Sequence, residues 1–154
     1  KFGPTVLLVP GTAVVSAVLW YLSTVSETTA PLTLLAAHIV LSLGLALLFT
    51  PLFTAGLGSV QRPLYSHGSA IIGTVQQVAG AAGTAMFITV MSVQTAALTA
   101  GGAEPSTAVA GGVRAAFLAG AIISVVAVAA AFFVRKPMEE EPAEVARAGA
   151  PAAH

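Results

Sequence analysis

Apolar residues gather into four long runs along this chain, at about 5–22, 32–57, 69–93 and 113–134. Within each run the apolar character is continuous, without the strict alternation of a half-buried strand. At about 1.5 Å of rise per residue, each run is long enough to cross roughly 30 Å of hydrocarbon as a helix. Open strands would leave their backbone groups unpaired in lipid. The pattern therefore predicts an all-α integral membrane protein, with four transmembrane helices in residues 1–134.

The breaks between the runs carry turn chemistry. STVSETTAP (23–31) closes on Pro31, and SVQRPLYSHG (59–68) holds Pro63 and Gly68. TAGGAEPSTAVAGG (99–112) is rich in Gly, Ser and Thr, so Gly101, Gly102, Gly111 and Gly112 are expected in a loop. Residues 135–154, RKPMEEEPAEVARAGAPAAH, are charged and then rich in Ala and Pro. They are expected to form a mostly disordered tail. The chain opens on Lys1 rather than Met, and the expectation is a piece of a longer polypeptide.

Composition strengthens the membrane reading. Residues are 56% hydrophobic and 8% charged, with a mean hydropathy of +0.92. A soluble domain carries about 25% charged residues. Net charge is zero, so no basic surface recruits nucleic acid. There is no cysteine, hence no disulfide framework and no thiolate metal site. No Ser/His/Asp constellation, metal-ligand spacing or phosphate-cradling loop is visible, so neither enzymatic activity nor a cofactor is expected. Four spans put both ends on one side, together with Lys1, Arg62, Arg135, Lys136 and Arg147; Arg114 falls opposite. By the positive-inside rule the two termini and the 59–68 loop are expected to be cytoplasmic, in a multi-pass protein of the cell membrane. Trp20 and Tyr21 mark the outer end of the first span, and Phe132 and Phe133 the inner end of the fourth.

The third run contains the polar exception, SHGSAIIGTVQQVAGAAGTA (66–85). On a helix, Gly73, Gln77, Gly80 and Thr84 share one face, and Gln76, Gly80, Gly83 and Phe87 make an overlapping one. A lipid-facing amide would remain unpaired at a cost of several kcal/mol. This face must meet protein or water, and the glycines suit close approach of a neighbouring helix. Two readings stay open: interhelical hydrogen bonding, or the lining of a transport path. In the second run, Pro51 removes a backbone donor beneath Leu47, and Thr50 and Thr54 are placed to re-satisfy the break. Pro51 thus marks a kink, with gating or passive packing as its two readings. Pro10 reads as a helix-start proline. His38, one turn from Ser42, reads either as a packing histidine or as a proton carrier. No Asp or Glu falls within a span, whereas proton-coupled pumps use an intramembrane titrating group.

Residues 47–92, LLFTPLFTAGLGSVQRPLYSHGSAIIGTVQQVAGAAGTAMFITVMS, closely resemble the C-terminal half of major facilitator superfamily exporters, in the fourteen-helix drug:proton antiporter group. KFGP (1–4) resembles the end of that family's second-half cytoplasmic loop motif, and AGGVRAAFLAGAIISVVAVAAAFFVRKP (110–137) its last span and exit. The resemblance implies that the four spans are the last four of a C-terminal bundle. It implies small-molecule substrates and protons as partners in the full-length transporter, with an N-terminal bundle outside this chain. It places the second and third spans, with His38, Ser42, Thr50, Gln76, Gln77 and Thr84, at the central cavity, and the first and fourth at the periphery. Gly73, Gly80 and Gly83 would be the counterpart of the family's glycine-rich antiporter motif, although its mid-helix Gly-Pro pair is absent. The family's proton-coupling acids have no match here. Competing readings are a self-standing four-helix structural or interaction protein, a small dimeric exporter, and a solute importer.

Overall fold

The structure is a computed structural model that describes residues 5–134. KFGP and the expected tail at 135–154 lie outside the described residues. The described chain is all helical: α1 (Thr5–Leu22), α2 (Pro31–Gly58), a short 3-10 turn (Arg62–Leu64), α3 (Tyr65–Ala100) and α4 (Pro105–Ala131). Of these, α2, α3 with its preceding turn, and α4 are long and apolar enough to cross a membrane. α1 is a shorter apolar helix.

The bounds of α3 and α4 differ from the sequence reading: α3 starts at Tyr65 rather than near residue 69, taking residues 65–68 from the expected loop, and α4 ends at Ala131 rather than near residue 134. α3 is 36 residues long, about 54 Å at 1.5 Å per residue. It continues well past residue 93, and α4 begins at Pro105 rather than near residue 113. The expected loop shrinks to 101–104, where Gly102 takes φ +85, a conformation that costs glycine nothing. Gly111 and Gly112 are therefore helical. Pro105 explains the early start, since a proline at the first position of a helix forfeits only an N–H that had no partner. Pro10 is likewise inside α1 rather than at its start. The buried Thr12 hydroxyl lies 2.8 Å from the Leu8 carbonyl and 3.0 Å from that of Val9, supporting the turn that Pro10 weakens. α2 continues through Pro51 to Gly58. There Thr54 donates to the Thr50 carbonyl at 3.0 Å rather than to the carbonyl of Leu47.

The helices pack in the order α2, α1, α4, α3, with α2 and α3 touching only sparsely. Lipid offers no hydrophobic force between helices, so the contacts rest on small residues that let backbones approach. Gly11 faces Gly44 where α1 crosses α2: a β-carbon on Gly11 would lie 3.1 Å from the Gly44 carbonyl oxygen and 3.3 Å from Leu47 Cβ. Ala116 and Ala121 of α4 are fully buried. Ser16 of α1 and Ser124 of α4, both buried, are hydrogen-bonded through their hydroxyls at 2.8 Å. At the α3–α4 contact a β-carbon on Gly112 would collide with the Thr95 hydroxyl and the Met91 carbonyl. Phe87 and Phe117 add an edge-to-face pair, centroids 5.2 Å apart. α2 and α3 meet near their connection, where Gly56 lies against Ile72, and Gly68 of α3 lies against Val60 of the connecting segment.

Gly112→Leu is expected to force α3 and α4 apart and destabilise the intact protein by about 1–3 kcal/mol or more, as overpacking does. Val126→Leu, at an exposed position of α4, serves as the comparison. Thermal unfolding midpoints in detergent check this, and an unchanged midpoint for Gly112→Leu would refute the contact.

Candidate functional site

α3 is unbroken from Tyr65 to Ala100, so its helical repeat sets Gly73, Gln77, Gly80 and Thr84 on one side, with Gln76 and Gly83 beside them. Gln76, Gln77 and Thr84 are exposed. A β-carbon at Gly73, Gly80 or Gly83 would meet nothing within 4 Å. The close helix approach expected at these three glycines is thus not made by any helix among the described residues. Thr84 donates to the Gly80 carbonyl at 3.0 Å and so answers its own donor. The side-chain amides of Gln76 and Gln77 make no hydrogen bond among the described residues. Of all α3, Gly68 alone is buried.

The remaining candidates sit on α2. His38 lines a cleft between the α1 end, α2 and α4. The glutamines are not part of that cleft, so the two sets of polar candidates are separate. Ser42 donates to the His38 carbonyl at 2.9 Å. Thr50 is exposed and its carbonyl accepts from Thr54. Pro51 is buried. Gln76, Gln77 and Thr84 therefore share one surface, while His38, Ser42, Thr50 and Pro51 are distributed along another helix.

The structure also shows polar ties to which the sequence reading gave no role. Thr107 donates to Glu27 at 2.9 Å, fastening the α1–α2 loop to the start of α4. Arg114 Nε donates to the Ser23 carbonyl at 3.3 Å, a cation at the C-terminal end of α1, where the helix dipole favours it. Ser16 and Ser124 join them lower down the same helix pair. A serine in each of two apolar runs was the available signal, but it did not say which runs were neighbours. Among the described residues no group of His, Asp and Glu could hold a metal ion.

Helices of this length and apolarity, carrying a polar face that no other helix covers, define an all-α membrane protein with a surface unsatisfied within these residues. Its sequence relatives carry a common name. The chain is 37% identical over 140 residues to the lincomycin resistance protein LmrB of Listeria monocytogenes, covering 88% of this chain and 30% of that protein. It is 36% identical over 140 residues to the protein of the same name from Listeria innocua, with the same coverage. It is 34% identical over 74 residues to that of Bacillus subtilis, 48% of this chain and 15% of that protein. The chain thus spans less than a third of the length of these curated relatives. No protein-family model matches the chain. No solved structure matches it either.

Because this chain has no cysteine, introduced thiols report position cleanly once any cysteine elsewhere in the intact protein is replaced. Gln76→Cys and Gln77→Cys are expected to react with a membrane-impermeant maleimide or to be shielded by another segment that also cross-links to them. Val126→Cys, at an exposed apolar position of α4, should do neither. Glutamine positions that stay unreactive and uncross-linked would show both amides in acyl chains and remove the site.

Proposed function

We propose that this chain is the C-terminal part of a secondary active transporter that exports drugs or other small amphipathic molecules in exchange for protons. The observation that carries the reading is the 37% identity, over 88% of the chain, to a protein named for lincomycin resistance. The four helices would be the last four of a major-facilitator-type bundle in the cell membrane, with both termini cytoplasmic. Alternating access works by rocking two bundles about a central site, and these helices would form part of one bundle.

Two features of the structure support the assignment of roles. α1 and α4 form the packed middle of the described helices, while α2 and α3 flank them and keep open faces. α3 presents Gln76, Gln77 and Thr84 on an uncovered side. In the proposed transporter this side faces the central cavity or the helices around it. The amides there hydrogen-bond substrate or hydrated space, and Gly73, Gly80 and Gly83 admit a neighbouring backbone. Ser42 and Thr50 on α2 contribute polar oxygens to the same path, and Pro51 weakens α2 near its cytoplasmic end. Proton-coupling acids belong to the remainder of the polypeptide, since Glu27 and Glu104, the two acids among the described residues, lie outside the helices.

Expression of the complete reading frame in a susceptible host is expected to raise the lincomycin concentration that inhibits growth several-fold, and a proton-gradient uncoupler should remove the gain. Gly80→Leu should abolish resistance, whereas Gln77→Leu should shift the drug profile with the protein still present in the membrane. Absence of any resistance from the intact protein, or uncoupler-insensitive export, would reject the proposed activity.

A further inference from the structure

A cleft of about 420 Å³ opens at the end of the bundle where α1 stops and α2 starts. Leu22 and Val25 line it from α1 and the following loop, Leu34 and His38 from α2, and Val113 and Phe117 from α4. Its volume falls within the roughly 300–1,000 Å³ of small-molecule sites. The wall is apolar apart from the His38 imidazole and Ser26 at the loop. A void of this kind beside acyl chains does not stay empty, because its lining would forfeit dispersion contacts.

Three observations narrow the occupant. Trp20 and Tyr21, exposed at this end of α1, are the residue types that settle at headgroup level. Arg114 follows Val113 on α4 and is anchored through Nε to the Ser23 carbonyl. Its terminal guanidinium nitrogens have no partner among the described residues. His38 lies about 10 Å along α2 from Pro31, at 1.5 Å per residue, and its ring has no hydrogen-bond partner among the described residues. An unpaired imidazole N–H in hydrocarbon costs several kcal/mol. The occupant must be apolar for most of its length, with an anion at one end and an oxygen acceptor beneath it.

We propose that this cleft binds one anionic phospholipid of the adjacent leaflet. Its phosphate sits on the free nitrogens of Arg114, in the charge-assisted geometry that arginine offers phosphate. An ester carbonyl accepts a hydrogen bond from His38, and an acyl chain runs along Leu22, Leu34, Val113 and Phe117. Plain hydrocarbon would leave both polar groups unanswered, and free phosphate would leave the apolar wall bare. The proposal rests on the membrane setting alone and does not depend on transport.

The test uses the intact protein in nanodiscs of mixed phosphatidylglycerol and phosphatidylethanolamine, followed by delipidation and native mass spectrometry. One retained phosphatidylglycerol per protein is expected. Val113→Trp, which fills the cleft, should lose it, and Arg114→Gln should lower retention about five-fold while Arg114→Lys keeps most of it. Photoreactive benzoylphenylalanine at position 113, in otherwise unaltered protein, keeps the question answerable where Val113→Trp does not fold. A mass gain of one phospholipid upon illumination supports the proposal. No retained lipid, equal retention by all variants, a cross-link to another segment of the polypeptide, or no lipid cross-link would overturn it.

Discussion

Gly112 leaves no room for a β-carbon between α4 and the Met91–Thr95 stretch of α3, and that contact shows the constraint under which these helices associate. Acyl chains are as apolar as leucine, so burying leucine between helices gains little over leaving it in lipid. What remains is backbone proximity and hydrogen bonding. The chain uses both along α4, which holds α3 through Gly112 and holds α1 through buried alanines and the Ser16–Ser124 pair. α1 then holds α2 at the Gly11–Gly44 crossing. The large side chains are left mostly outward: Leu8 is the one large residue described that is fully buried. Positions such as Leu43, Val75 and Val126 are more than half exposed.

The same constraint separates two kinds of glycine. Gly11, Gly44 and Gly112 are already against a neighbouring backbone or side chain, and replacing them would disturb a contact that exists here. Gly73, Gly80 and Gly83 stand in open space. Glycine in a helix interior costs roughly 0.5–1 kcal/mol relative to alanine. Three of them lie on one stretch of α3 without a contact among residues 5–134, so no packing within these residues offsets that cost.

Much of this was legible beforehand because lipid imposes long apolar runs. α1 and α2 begin and end within a residue of where apolarity alone put them. The α3–α4 hairpin was not legible, because a Gly-, Ser- and Thr-rich segment reads as a loop in water-exposed statistics. In a helix pair the same small residues at 108, 112 and 116 form a packing ridge. Pro105 was the overlooked marker of where that helix starts. The grouping of Gln76, Gln77 and Thr84 followed from helical spacing. The separation of His38 from them did not, since it depends on α2 packing against α1 while barely touching α3, and no one-dimensional spacing encodes which helices are neighbours.

Hydroxyls and amides on these helices also make unequal demands. Ser42, Thr54, Thr74, Thr84 and Thr99 each donate to a carbonyl one turn back, so their hydrogens are satisfied wherever the helix is placed. A glutamine carries two amide hydrogens on a longer arm, and neither Gln76 nor Gln77 finds an acceptor among the described residues. These five hydroxyls therefore tolerate lipid, protein or water alike and say little about what adjoins them. The glutamines, Gln76 and Gln77 as an adjacent pair and Gln94 further along α3, call for surroundings that supply oxygen acceptors. α3 therefore packs on α4 along one side and leaves its amides on exposed positions.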